Sequence, residues 1–177
     1  PPEGSWFAKA TARHGIRPEA APIKGRGKRV FDAGLVDSVD LADVATFADI
    51  GGNAQSLGLA AHMKWDCDID LIDLDHKGEW ASGSAWVAPY TAFLVENGVA
   101  PDRIRHVTTE GALRGYDLIA NLSGFGDVNK VKHLGVVLSR CLTADSRMIG
   151  DIRKGSGAYP FLKDFGETET LSTREDG

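Results

Sequence analysis

Short runs rich in β-branched and aromatic residues alternate along this chain with longer segments whose apolar positions recur every three or four residues. Residues 44–50, Val-Ala-Thr-Phe-Ala-Asp-Ile, are the first short run and end at Gly51-Gly52, after which 56–64 has a helical pattern. The same reasoning predicts a second strand over 69–74, a helix over 82–97 bent at Pro89, and strands over 104–108 and 116–122. A helix over 128–142, a fifth strand over 147–152, a short helix over 160–165 and a late strand over 167–172 complete the pattern. Within 128–142, Val131, Leu134, Leu138 and Cys141 fall at steps of three and four, which marks one buried stripe. Strands that alternate with helices pair in parallel through crossover connections. The predicted fold is therefore α/β, doubly wound, with a mostly parallel sheet and helices on both faces.

Residues 1–29 break this rhythm. They are rich in Pro, Gly and basic residues, with Trp6 and Phe7 as large apolar anchors, and are read as a basic N-terminal arm with a short helix over 5–13. Another short helix is expected over 30–41, where Phe31, Leu35 and Val39 are spaced to lie against the sheet. The organisation expected is thus an arm, 1–29, and one domain, 30–177, in keeping with a length of 177 residues. Residues 1–30 hold seven Lys or Arg against Glu3 and Glu19, a balance of +5, so with a net charge of −5 the remainder stands at −10. An acidic body argues against nucleic acid as the main substrate, and the arm is a candidate for closing over a site or joining a homodimer. No apolar run approaches the roughly 20 residues that cross a bilayer. Cys67 and Cys141 give neither metal-ligand spacing nor a disulfide framework, so a cytoplasmic location is expected. The chain begins Pro1-Pro2 and stops at Gly177 soon after the late strand, and a C-terminal truncation is expected on that ground.

In an open α/β sheet, ligands bind beyond the carboxyl ends of the strands. Attention falls on Asp49-Ile50-Gly51-Gly52-Asn53-Ala54-Gln55-Ser56, where adjacent glycines let bare main chain approach a ligand and the first N–H groups of a helix, at 53–56, favour an anion. About 24 residues later Asp73 closes the second strand. A carboxylate there can accept both hydroxyl hydrogens of a ribose, with Asp75 as the fallback.

These residues resemble the class I S-adenosylmethionine-dependent methyltransferases. Their first motif is an acid, a hydrophobe and Gly-x-Gly-x-Gly. Asp49 and Gly51 match it, while Asn53 and Gln55 stand at the second and third glycines; Asn at the middle place occurs in branches that methylate small molecules. The resemblance extends over about 44–172. It places Glu110, in Thr109-Glu110-Gly111-Ala112, near the adenine amino group, and it matches Tyr116-Asp117-Leu118-Ile119 to the fourth strand, whose exit at 121–126 faces the methionine portion and the acceptor. It also makes the late strand antiparallel. What it implies is S-adenosylmethionine as cofactor, held by Asp49, Gly51, Gly52, Asn53, Gln55, Asp73, Leu74, Glu110, Gly111 and Asn121, with a small-molecule acceptor methylated at oxygen or nitrogen.

Methyl transfer needs alignment first and, for a hydroxyl acceptor, a base. Candidates near the strand exits are Asp127, His133 and Asp151, each with an ordinary structural reading: Asp127 as a helix cap, His133 as a surface histidine, Asp151 as a partner of Arg153. No metal site is expected. Trp80 and Trp86 are the aromatic residues placed to line an acceptor pocket. Two rivals stand beside this reading: a non-catalytic binding module of the same fold, and a nicotinamide-dependent oxidoreductase. The latter's G-x-G-x-x-G fingerprint is broken by Asn53 and Ser56.

Overall fold

A computed structural model of the chain describes residues 41–73, 86–107, 110–122, 131–150, 152 and 155–168. Its strands are β1 (Thr46–Ile50), β2 (Asp68–Ile72), β3 (Ile104–Val107), β4 (Leu118–Asn121) and β5 (Arg147–Gly150). They are all parallel, in the order β3-β2-β1-β4-β5. The described helices are α1 (Gln55–Trp65), α2 (Val87–Glu96), α3 (Val131–Cys141) and α4 (Ala158–Lys163).

Alternate residues of a strand face opposite sides, and a parallel sheet buries both. Phe47, Ile69, Leu71, Leu118 and Ala120 accordingly join a core with Leu57, Leu59 and Ala60 of α1 and Tyr90 and Leu94 of α2. Ala48, Ile50, Ile72 and Ile119 join a second core with Val137, Leu138 and Cys141 of α3, against which Phe161 and Leu162 of α4 pack. Residues 55–61 of α1 are all buried. They are squeezed between β1 and α2: a Cβ on Gly58 would stand 2.6 Å from the Tyr90 hydroxyl and 3.0 Å from the Phe47 ring, so only glycine admits both neighbours. The helix stops where Asp66 turns left-handed (φ 54°) and returns its N–H to the His62 carbonyl at 2.7 Å.

At the amino edge, the Asp117 carboxylate accepts hydrogen bonds from the main chain of Ala45 (2.8 Å) and Thr46 (2.9 Å) and from the Thr46 hydroxyl (3.1 Å), binding the start of β1 to the start of β4. Asp117→Ala leaves these donors without their charged acceptor and is expected to lower stability by about 2 kcal/mol. Chemical denaturation would read that loss, with ligand binding at the opposite edge unchanged.

The elements follow the predicted order, with three differences. The second helix starts at Val87 in the described residues, which puts Pro89 in its first turn, where N–H groups have no intrahelical acceptor to lose. The short helix near the end begins at Ala158, ahead of the expected 160. Of the late antiparallel strand, Glu167 and Thr168 are exposed and in no strand, and the rest lies outside the described residues. The arm, the helices over 5–13 and 30–40, Asp75 and Trp80 also lie outside them. Among the described residues no helix is long and apolar enough to cross a membrane.

Candidate active site

The strand order reverses between β1 and β4, because α1 leads from β1 to β2 on one side while β4 joins on the other. Such a reversal opens a crevice at the carboxyl ends of the strands. Registers set what lines it. Ile50 pairs with Ile72, so Asp73 is level with Gly51, and the Gly51 N–H reaches the Ile72 carbonyl at 3.1 Å. Asp49 pairs with Ala120, which brings Asn121 and Leu122 to the same rim. Asp49 and Asp73 thus stand at one end of neighbouring strands, as the sequence requires of a cofactor site.

The turn itself is built from within. Asp49 is fully buried and points into it, accepting hydrogen bonds from the N–H groups of Gly52 (3.1 Å) and Ala54 (2.9 Å). The acceptor at the entrance to α1 is therefore the protein's own carboxyl group, and N–H groups expected there to meet a ligand anion, those of Gly52 and Ala54, are already taken up. Desolvation pushes the Asp49 carboxyl up to about 7, against the lowering effect of those hydrogen bonds. Burial, followed by the Asp49 charge, raises the Tyr90 phenol well above its ordinary value.

A carboxyl whose folded pKa lies above its ordinary 3.8 keeps its proton longer in the native state. Its contribution to stability is therefore greatest at low pH and declines as pH rises from about 4 to about 7, by up to about 1.4 kcal/mol per unit. Asp49→Asn is expected to remove this slope: denaturation curves at pH 5 and pH 8 would lie closer together in the variant than in the parent.

The two glycines differ. Both have positive φ (89° at Gly51, 76° at Gly52), which L side chains rarely adopt. A Cβ on Gly52 would overlap the six-membered ring of Trp86, which is buried at the start of α2. The bare face of Gly52 is thus filled by the protein. At Gly51 the nearest atom to such a Cβ among the described residues is the Asn121 Nδ2 at 3.9 Å, so none of them fills this glycine's face. Trp86, singled out as a pocket residue, instead braces the turn from behind, beside Tyr90 (ring centroids 6.1 Å apart), whose hydroxyl bonds the Ala54 carbonyl at 3.2 Å.

Three carboxamides finish the rim. Asn121 donates to the Ile50 carbonyl (2.7 Å), Asn53 to the Leu122 carbonyl (2.9 Å) and Gln55 to the Gly52 carbonyl. With their amino ends fixed in this way, the buried Asn53 Oδ1 and Gln55 Oε1 have no donor among the described residues. Asp73 is half-buried; its N–H bonds the Val107 carbonyl at 2.9 Å, and its carboxylate has no partner among the described residues. Gly111 is exposed in the 3-10 turn Glu110–Ala112 that follows β3.

Leu74, Asp127, Asp151 and the side chains of Glu110 and His133 lie outside the described residues, although the main chain of His133 is in the first turn of α3. Among the described residues, no group of three or more His, Cys, Asp or Glu could hold a metal ion. Sequence reasoning missed the bracing of the turn by Tyr90. The signal for it was available in the spacing of Trp86 and Tyr90, four residues apart on one helix face.

Comparison of the sequence with family models and with curated proteins finds no match. Comparison of the fold does. The chain is similar to an S-adenosylmethionine-dependent methyltransferase from Thiobacillus denitrificans solved in complex with S-adenosyl-L-homocysteine, at 14% identity and a TM-score of 0.50, over 80% of this chain and 54% of that one. It is similar also to a Corynebacterium glutamicum protein at 14% identity and a TM-score of 0.51, over 90% of this chain and 76% of that one. The chain spans about half the length of the methyltransferase it matches. At such identities the likeness is one of architecture: the described residues have the class I S-adenosylmethionine-dependent methyltransferase fold.

Proposed function

We propose that this chain binds S-adenosylmethionine at the rim formed by Gly51, Asp73 and Asn121, and transfers its methyl group to the oxygen or nitrogen of a small molecule. The observation that carries the reading is the Asp73 carboxylate, which has no partner among the described residues, level with the face of Gly51 that none of them fills. The group fits what is there: its ribose hydroxyls and ammonium are donors, and among the described residues the Asp73 carboxylate and the rim's Asn53 Oδ1 have no donor. The solved methyltransferase of the same fold, with S-adenosyl-L-homocysteine bound, supports it.

In this reading Asp73 accepts the ribose hydroxyls and Gly51 lets the main chain come close. Glu110 and Gly111, beyond β3, meet the adenine, with Leu74 beside it. Asn121 holds the β4 exit to the turn. Asp49, Gly52 and Gln55 keep the turn in shape from inside it. When bound, the cofactor supplies an electrophilic methyl group on a sulfonium; the protein's part is alignment for an in-line displacement, with Asp127, His133 or Asp151 taking the acceptor's proton.

Calorimetry with S-adenosyl-L-homocysteine tests the binding step, and transfer of labelled methyl groups to a panel of phenols, carboxylates and amines tests the reaction. Binding with transfer is expected. Binding without transfer to any acceptor would leave a binding module, and no heat with the nucleoside would overturn the reading altogether.

A further inference from the structure

Away from the glycine turn, β2 carries a second acid that no part of the proposed reaction uses. Asp70 is fully buried in mid-strand, yet it holds two arginines. Arg105, its register partner on β3, donates through Nε (3.1 Å) and Nη2 to Asp70 Oδ2. Arg114 donates through Nε to Oδ2 (3.1 Å) and through Nη2 to Oδ1 (3.0 Å). The Tyr116 hydroxyl adds a bond to Oδ2 at 2.6 Å.

One guanidinium balances the carboxylate, so the second leaves the cluster with a net charge of +1. Both arginine side chains are about two-fifths exposed, 44% and 39%, while the acid between them is at 0%. Nη1 of each has no partner among the described residues. The surplus charge reaches the surface through the two arginines, and the described part of the β3–β4 connection beside them is a 3-10 turn, Glu110–Ala112.

Forked guanidiniums fixed by hydrogen bonds are preorganised for planar or tetrahedral oxyanions, and a second cation beside an already neutralised acid is favoured when an outside anion completes the set. We propose that Arg105 and Arg114 form a binding site for an oxyanion group, a carboxylate or a phosphate ester, on the β2–β3 face. The site is distinct from the nucleoside rim: Asp70 precedes Asp73 by three residues, about 10 Å along the strand. It stands whether or not the chain binds S-adenosylmethionine.

The test is thermal unfolding and the ¹⁵N resonances of the arginine Nε groups, followed while inorganic phosphate, methyl phosphate or acetate replaces chloride at constant ionic strength. A saturable rise in Tm is expected in the parent protein, with movement of the Arg105 and Arg114 signals; whether acetate or the phosphates act at lower concentration tells which oxyanion the site takes. Arg114→Gln, which leaves Asp70 paired with Arg105, should abolish the saturable part. Asp70→Asn raises the cluster to +2 and should tighten phosphate about tenfold, the opposite of what a purely structural cluster would give. No saturable response to any of the three anions, or an unchanged response in Arg114→Gln, overturns the proposal. The Arg114→Gln comparison decides alone should Asp70→Asn fail to fold.

Discussion

Gly52→Ala is expected to destabilise the protein by about 3–5 kcal/mol, whereas Gly51→Ala, one residue away, costs the fold only about 1–2 kcal/mol. Both glycines hold positive φ, so a methyl group strains the backbone at either place. Only at Gly52 does it also run into the Trp86 ring, which is buried and cannot yield without disturbing Tyr90 and the start of α2. The order reverses for ligand. At Gly51 no described residue fills the space next to the added carbon, and in the proposed reading that space belongs to the nucleoside, so Gly51→Ala should weaken S-adenosyl-L-homocysteine binding at least tenfold in a folded protein. Urea denaturation and calorimetry on the two variants separate these effects. A double variant, Gly52→Ala with Trp86→Ala, should lose less stability than the two single changes together, because the smaller side chain removes the overlap.

Asp73→Ala should weaken S-adenosyl-L-homocysteine about 100-fold, since two charge-assisted hydrogen bonds to the ribose disappear at roughly 1.5–3 kcal/mol each, less what water restores. The melting temperature of the free protein should hardly move, because the carboxylate supports nothing among the described residues. Asp73→Asn should fall between, as the carboxamide keeps one acceptor oxygen. Unchanged affinity in Asp73→Ala would remove the central residue of the proposed site.

The layered architecture was legible because β1 and β4, in the middle of the sheet, are short apolar runs buried on both faces, and because helices lead from β1 to β2, from β2 to β3 and from β4 to β5. The place of the site was legible for the same reason: a strand that ends in Asp-Ile-Gly-Gly must turn at the edge of the sheet. Orientation within the turn was not. Whether Asp49 faces a ligand or its own main chain depends on how the turn coils back on it, and whether Gly52 is bare for a cofactor or for Trp86 depends on a residue more than thirty positions away. No local spacing carries that information. The Asp70 cluster was hidden for a related reason, because its members are joined by strand register and by a loop, and an acid in mid-strand reads from sequence as an ordinary polar position.

The two asparagines that reach between the turn and the end of β4 have a mechanical consequence. Asn53 and Asn121 each tie one lip of the crevice to the other, so the lips cannot part unless both amides let go. A guest therefore meets a mould already set, and little of its affinity goes into freezing a loose chain.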